Sequence, residues 1–78
     1  MFVNIQDTKL LENVVYLRKR YSVSRRGLAR LIGMSEYTLK DMEEGVGLPV
    51  IFEDELSRLC LIFETDCETL LHTDMSKK

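Results

Sequence analysis

A glycine followed two residues later by a serine divides a helical stretch of this chain into two short helices. The apolar residues that precede Gly33 recur at helical spacing, and Ser24 stands where it can cap the start of that helix. Gly33 can take a positive φ without a Cβ penalty, which lets the chain turn sharply. Ser35 can then cap the next helix. The spacing therefore predicts two short helices joined by a tight turn.

Three further helices are predicted around this pair. A longer first helix begins after Thr8 and carries apolar residues at helical spacing as far as Tyr21. A fourth helix extends from about Phe52 to Phe63, and Asp66 can cap a short fifth one. All five of the predicted elements are helices, and a chain of 78 residues folds around a single core. We therefore expect one all-α domain of five helices. The side chains expected to be buried together are those of Leu17, Leu28, Ala29, Leu31, Leu39, Met42, Leu56, Leu59 and Phe63.

The predicted helices place one domain between two terminal segments. We expect an N-terminal arm at residues 1–7, the helical domain at residues 8–72 and a flexible tail at residues 73–78. No apolar run approaches the roughly 20 residues that cross a bilayer, and the N-terminus has no basic region followed by an apolar stretch. We therefore expect a cytoplasmic protein that makes no contact with a membrane.

Charges are distributed unevenly along the chain, although the net charge is only −2. Residues 1–34 contain seven basic and two acidic residues, whereas residues 35–78 contain four basic and eleven acidic ones. Exposed charges are screened over about 8 Å at physiological salt, so a phosphate would respond mainly to the nearest patch. The basic residues concentrated between positions 18 and 30 therefore predict either an anion-binding surface or a solvated helix face. They are Arg18, Lys19, Arg20, Arg25, Arg26 and Arg30.

Between Ser24 and Gly45 the chain carries an ordered set of small, apolar and acidic residues, which comprises Leu28, Ala29, Gly33, Ser35, Leu39 and Glu43. In this set the chain resembles the phage-repressor, or XRE, helix-turn-helix family, and the resemblance extends from about Glu12 to Leu71. It implies a five-helix, lambda-repressor-like DNA-binding domain. The function that it implies is sequence-specific binding of double-stranded DNA by a small, repressor-like transcriptional regulator.

The resemblance also assigns roles to individual residues. Arg25 stands where the family usually has a glutamine that contacts a phosphate, so Arg25 and Arg26 are expected on the DNA backbone. Arg18 and Glu43 are expected to form a structural ion pair between the first and third helices, unless both are merely solvated charges. A homodimer is expected, because one helix reads only a few base pairs. The residues expected to read bases are Glu36, Tyr37, Thr38, Lys40 and Asp41.

The acidic residues of the third helix support a second hypothesis. Carboxylates are repelled by phosphates unless they accept a hydrogen bond from a base such as cytosine. Tyr37 is equally consistent with an ordinary surface tyrosine. The alternative function is a protein–protein interaction module that keeps the helix-turn-helix fold but has weak or no affinity for DNA.

The remaining chemistry-bearing residues indicate no catalytic or metal site. Cys60 and Cys67 lie among apolar neighbours and are expected to be buried thiols. A zinc site would need His72 as a third ligand and has no fourth, and a disulfide is rare in the cytosol. One histidine, no glycine-rich phosphate loop and no nucleophile–base pair leave no reaction to propose, so we expect neither an enzyme, nor a cofactor, nor a small-molecule ligand.

Overall fold

A short antiparallel pair of strands lies against the helices. The computed structural model describes residues 1–76, in which β1 (Phe2–Asn4) pairs with β2 (Val50–Phe52) and Val3 lies opposite Ile51. The fold is therefore mostly helical with a small two-stranded sheet, and the all-α prediction is correct only in part. Residues 2–4, predicted to belong to a separate arm, form a strand of the domain instead, and Ile5 is buried in the core.

Five helices follow in the described residues: α1 (Leu10–Arg20), α2 (Arg25–Ile32), α3 (Glu36–Glu44), α4 (Glu53–Ile62) and α5 (Cys67–His72). The predicted caps are confirmed, since the side chains of Ser24, Ser35 and Asp66 each accept a backbone N–H from the first turn. No helix within residues 1–76 has the length and apolar character needed to cross a membrane.

The core lies where α1, α2 and α4 meet α3, α5 and the inner face of the sheet. All but one of the predicted core side chains are buried there. Leu31 is the exception, because 59% of its surface is exposed. Each residue advances about 100° around a helix, so Leu28, Ala29 and Ile32 share one arc while Leu31 lies outside it. The prediction that Leu31 packs in the core is therefore wrong.

Asn13 is a buried polar side chain that the apolar pattern did not reveal. Its Nδ2 donates to the carbonyls of Leu70 and Thr73, at 2.8 and 2.7 Å, and its Oδ1 accepts from the N–H of Met75 at 3.0 Å. These bonds fasten the segment after α5 to α1, whereas the sequence predicted a flexible tail from Thr73. The last two residues of that predicted tail, Lys77 and Lys78, lie outside the described residues.

Candidate nucleic-acid interface

The turn between α2 and α3 is tightly defined by hydrogen bonds. Gly33 adopts φ 77° and ψ 31°, a left-handed conformation that favours glycine. The next N–H, that of Met34, reaches back to the Ala29 carbonyl at 2.9 Å, and Ser35 accepts from Thr38 N–H at 3.1 Å. Two residues therefore suffice to pass from the end of one helix to the cap of the next.

The two sides of α3 differ completely in burial. Leu39 and Met42 are buried against the other helices, whereas no other element within residues 1–76 covers the opposite side. Tyr37 is 81% exposed, and the Thr38 hydroxyl hydrogen-bonds with that of Ser35 at 2.8 Å. All five residues expected to read bases are exposed on this helix, namely Glu36, Tyr37, Thr38, Lys40 and Asp41.

One buried carboxylate holds three helices together. Glu43 of α3 accepts two hydrogen bonds from Arg18 of α1, at 2.8 and 3.0 Å, and a third from Nε of Arg25 of α2, at 3.0 Å. Only 3% of the Glu43 side chain is exposed, against 13% for Arg18 and 31% for Arg25. A carboxylate at that depth is tolerated because two guanidinium groups replace its hydration. The arrangement fixes how α3 projects from α1 and α2.

The contact between Arg25 and Glu43 was not anticipated from the sequence. Arg25 was expected on the DNA backbone only, yet it lies four and seven residues before Ala29 and Ile32, on the buried arc of α2. Glu43 likewise follows the buried Leu39 by four residues on α3. A charged residue at such a position has to find a partner inside, and this was the signal that could have revealed the pair.

Part of the positive charge between positions 18 and 30 is neutralised. We use "basic corner" for Arg18, Lys19, Arg20, Arg25, Arg26 and Arg30. Arg26 pairs with Glu36 at 3.3 Å, but both side chains are well exposed, so this pair is weak. Six cations thus face two carboxylates, those of Glu43 and Glu36, and the corner keeps an excess of positive charge.

The exposed residues in the second half of α3 are mostly acidic. Asp41 and Glu44 are exposed in its second half, and α4 begins with three consecutive acidic residues at positions 53–55. Glu55 also has a structural role, because its Oε1 accepts the N–H of Phe52 at 3.0 Å. Carboxylates in a first turn are favoured by the helix dipole. Carboxylates on this part of the surface disfavour a bound anion, in contrast to the basic corner.

An open groove of ≈ 430 Å³ separates α3 from the outer face of the sheet. The rings of Phe2 and Phe52 stack along it with their centroids 4.4 Å apart. Leu48 and Val46, in the loop before β2, are also exposed beside the groove. The groove is therefore apolar on the sheet side and bordered by Asp41 and Glu55.

The two cysteines lie together at the junction of α4 and α5. Both are free thiols whose sulfur atoms are 2.7 Å apart. Burial, followed by the hydrogen bond with Cys67, raises the pKa of the Cys60 thiol from 9.0 to about 12, so that the thiol stays protonated well into the alkaline range. Cys60 is buried as expected, whereas Cys67 is only half-buried, because it stands in the first turn of α5.

Comparison with known proteins gives no family for this chain: no protein-family model matches it, and no curated protein is similar enough to count as a relative.

Proposed function

We propose that this protein binds duplex DNA as a small transcriptional regulator, with α3 in the major groove. The observation that supports the proposal most strongly is the pairing of an uncovered outer side of α3 with a two-residue turn from α2. A helix presented in this way can enter the major groove, which is wide enough to admit it. The bonds from Arg18 and Arg25 to Glu43 would hold α3 in a fixed orientation when it docks on DNA.

The proposed backbone contacts lie at the start of α2. The first N–H groups of a helix, here those of Arg25 and Arg26, have no partner inside the helix and favour an anion. Arg25 uses its Nε for Glu43, which orients its guanidinium group and leaves the terminal nitrogens for a phosphate. Arg26 would exchange its weak pair with Glu36 for a phosphate oxygen.

The proposed base contacts come from the exposed side of α3. Lys40 would donate to guanine, and the methyl group of Thr38 would contact thymine, since its hydroxyl is engaged by Ser35. The carboxylates of Asp41 and Glu36 would each accept a hydrogen bond from the amino group of cytosine, or would disfavour other bases by repelling their hydrogen-bond acceptors. Because one helix spans few base pairs, we infer that two copies act together on adjacent half-sites.

A salt titration tests this proposal. Binding to a labelled duplex of mixed sequence should weaken steeply as salt rises, and Arg26→Ala should lower the slope by about one unit. Lys9→Ala is the matched control, because it also removes one positive charge. Lys9 lies before the first turn of α1, whereas the basic corner begins in the last turn of that helix. Equal slopes for the wild type and Arg26→Ala would contradict the backbone role, and no binding at low salt would contradict the function.

The apolar groove supports a second candidate function, a protein-interaction module. Exposed aromatic rings beside Asp41 and Glu55 suit a partner segment that carries apolar and basic residues. If the chain binds no duplex at low salt, while Leu48→Asp abolishes capture of such a partner, the second function replaces the first.

A further inference from the structure

The two outer edges of the sheet differ in how their backbone groups are satisfied. Along β2, the Val50 N–H donates to the Leu48 carbonyl at 2.9 Å, and the Phe52 N–H donates to Glu55 at 3.0 Å. Both outward N–H groups of β2 are thus already used within the chain. No further strand can pair there without breaking these bonds.

The outer edge of β1 is open. Alternate residues of an antiparallel strand direct their backbone groups to the same side. The Ile5 N–H donates to the Pro49 carbonyl at 2.8 Å, so the odd-numbered residues of β1 face β2. The N–H and C=O groups of Phe2 and Asn4 therefore point away from the sheet in the part of the chain that the structure describes. We call these four groups the β1 edge.

The β1 edge is short, but it lacks the other features that usually block an exposed strand. Residues 1–5 contain no proline and no charged side chain, and the backbone follows the regular register of the sheet. The side chain of Phe2 is 60% exposed and stacks on Phe52, which is 47% exposed. An unpaired edge beside an exposed aromatic pair is a surface suited to a partner strand.

We propose that the partner is a second copy of this chain, whose β1 pairs antiparallel with the β1 edge. The two outward residues, Phe2 and Asn4, are complementary across a twofold axis through Val3: Phe2 of each copy faces Asn4 of the other and exchanges both N–H···O bonds with it. Four hydrogen bonds would join the sheets into one of four strands. This inference rests on the proposal that two copies act together, and it identifies the surface that joins them.

Apolar surface beside the edge would supply the remaining contact. A stable interface needs roughly 800 Å² from each partner, more than a three-residue strand offers. Met1 and Phe2 are largely exposed at this edge and would be covered by the second copy. The outer face of β1 and β2 carries no charge, so two copies of the same chain do not repel each other there.

Sedimentation of the chain alone, without DNA, tests the inference. The wild type should dimerise as its concentration rises. Asn4→Pro removes an outward N–H from both copies and should raise the dimer Kd by about tenfold or more, whereas Asn4→Ala keeps that N–H and should dimerise normally. Phe2→Lys should likewise weaken the dimer, whereas Leu61→Lys, at an exposed site on α4, should not.

Amide hydrogen exchange provides a second measurement that does not depend on any variant. The N–H groups of Phe2 and Asn4 should be protected at high protein concentration and exchange freely on dilution. A wild type that stays monomeric, or a dimer in which these two amides remain unprotected, would overturn the inference. Either result leaves the DNA-binding proposal standing, because the salt titration tests that separately.

Discussion

Glu43 shows how a single residue can set the geometry of a surface. Its carboxylate is almost fully buried, yet it is bonded to Arg18 and Arg25 from two other helices. Desolvating a charge is unfavourable, and the geometry of these bonds offsets much of that penalty without a large net gain in stability. The main consequence is specificity of arrangement, because α3 can satisfy Glu43 only in one position relative to α1 and α2.

Neutralising this carboxylate should therefore destabilise the fold. Glu43→Gln keeps the shape but leaves two arginines without a counterion, and we expect the free energy of unfolding to fall by about 3 kcal/mol. Glu44→Gln, at the exposed neighbouring position, should change it by less than about 0.5 kcal/mol. Urea denaturation measures both. Similar values for the two variants would show that Glu43 is not a structural anchor.

The Cys60 thiol should make stability depend on pH in the alkaline range. Its pKa is about 12 in the folded chain, above the ordinary value of 9.0, so its contribution is fully present below pH 9 and is lost as the pH rises toward 12. Urea denaturation between about pH 8 and 11 should show this loss in the wild type. Cys60→Ala should reduce it, whereas Cys67→Ala should retain most of it, since burial is the largest cause. Parallel profiles for the wild type and Cys60→Ala would refute the assignment.

At the scale of elements, Asn13 connects α1 to the end of the chain. Its side chain bonds to the carbonyls of Leu70 and Thr73 and to the Met75 N–H, all from one buried position. Met75 also packs against the core. The short α5 thus depends on a partner in α1 as well as on its own cap, which a helix of six residues needs in order to be stable.

Removing the Asn13 amide should loosen this connection. Asn13→Ala leaves three backbone groups without their partner, so we expect a loss of about 2–3 kcal/mol in the free energy of unfolding. The Met75 amide should also lose its protection from hydrogen exchange. Glu12→Ala, at the exposed preceding position, serves as the control. An unchanged Met75 exchange rate in Asn13→Ala would mean that other contacts hold the segment.

For the whole molecule, the property that matters most for the proposed DNA binding is the arrangement of charge around α3. Positive charge predominates in the basic corner, whereas the exposed residues in the second half of α3 and the first turn of α4 are acidic, so a duplex bound as proposed would meet both attraction and repulsion. Glu36 has an intermediate position, because it is exposed on α3 and bonded to Arg26. In the proposed complex, Glu36 would compete with a phosphate for Arg26.

Neutralising Glu36 should release that restraint. In Glu36→Gln, Arg26 is free to contact a phosphate, and we expect affinity for mixed-sequence duplex to rise about three- to tenfold at low salt, with a steeper salt dependence. Glu68→Gln changes the net charge equally but lies on α5, which packs against α1 and α4. Fluorescence anisotropy compares the two. Equal gains in affinity for the two variants would indicate that only net charge matters. A loss of affinity for a preferred sequence in Glu36→Gln would indicate that Glu36 accepts a hydrogen bond from a base.

The sequence by itself determined the helices and the turn. Ser24, Ser35 and Asp66 act as caps, and Gly33 ends α2, because each of these signals operates over three or four residues of adjacent chain. All of the core side chains that were expected from the helical period are buried except Leu31, which lies beside the buried arc of α2, whereas the buried Ile5 and Ile51 were not among those expected. The same period gave the outer side of α3, whereas the interpretation of that side as a base-reading surface came from the family resemblance.

Only the tertiary structure decided which distant residues meet. Phe2 pairs with Phe52, Arg25 with Glu43 and Asn13 with Met75, each across a long stretch of chain. A three-residue strand is too short to show a period, so nothing local reveals its partner. A polar residue on a buried arc shows that it needs a partner but not which one. Long-range pairing depends on how whole helices pack, and that is settled only when their faces meet in three dimensions.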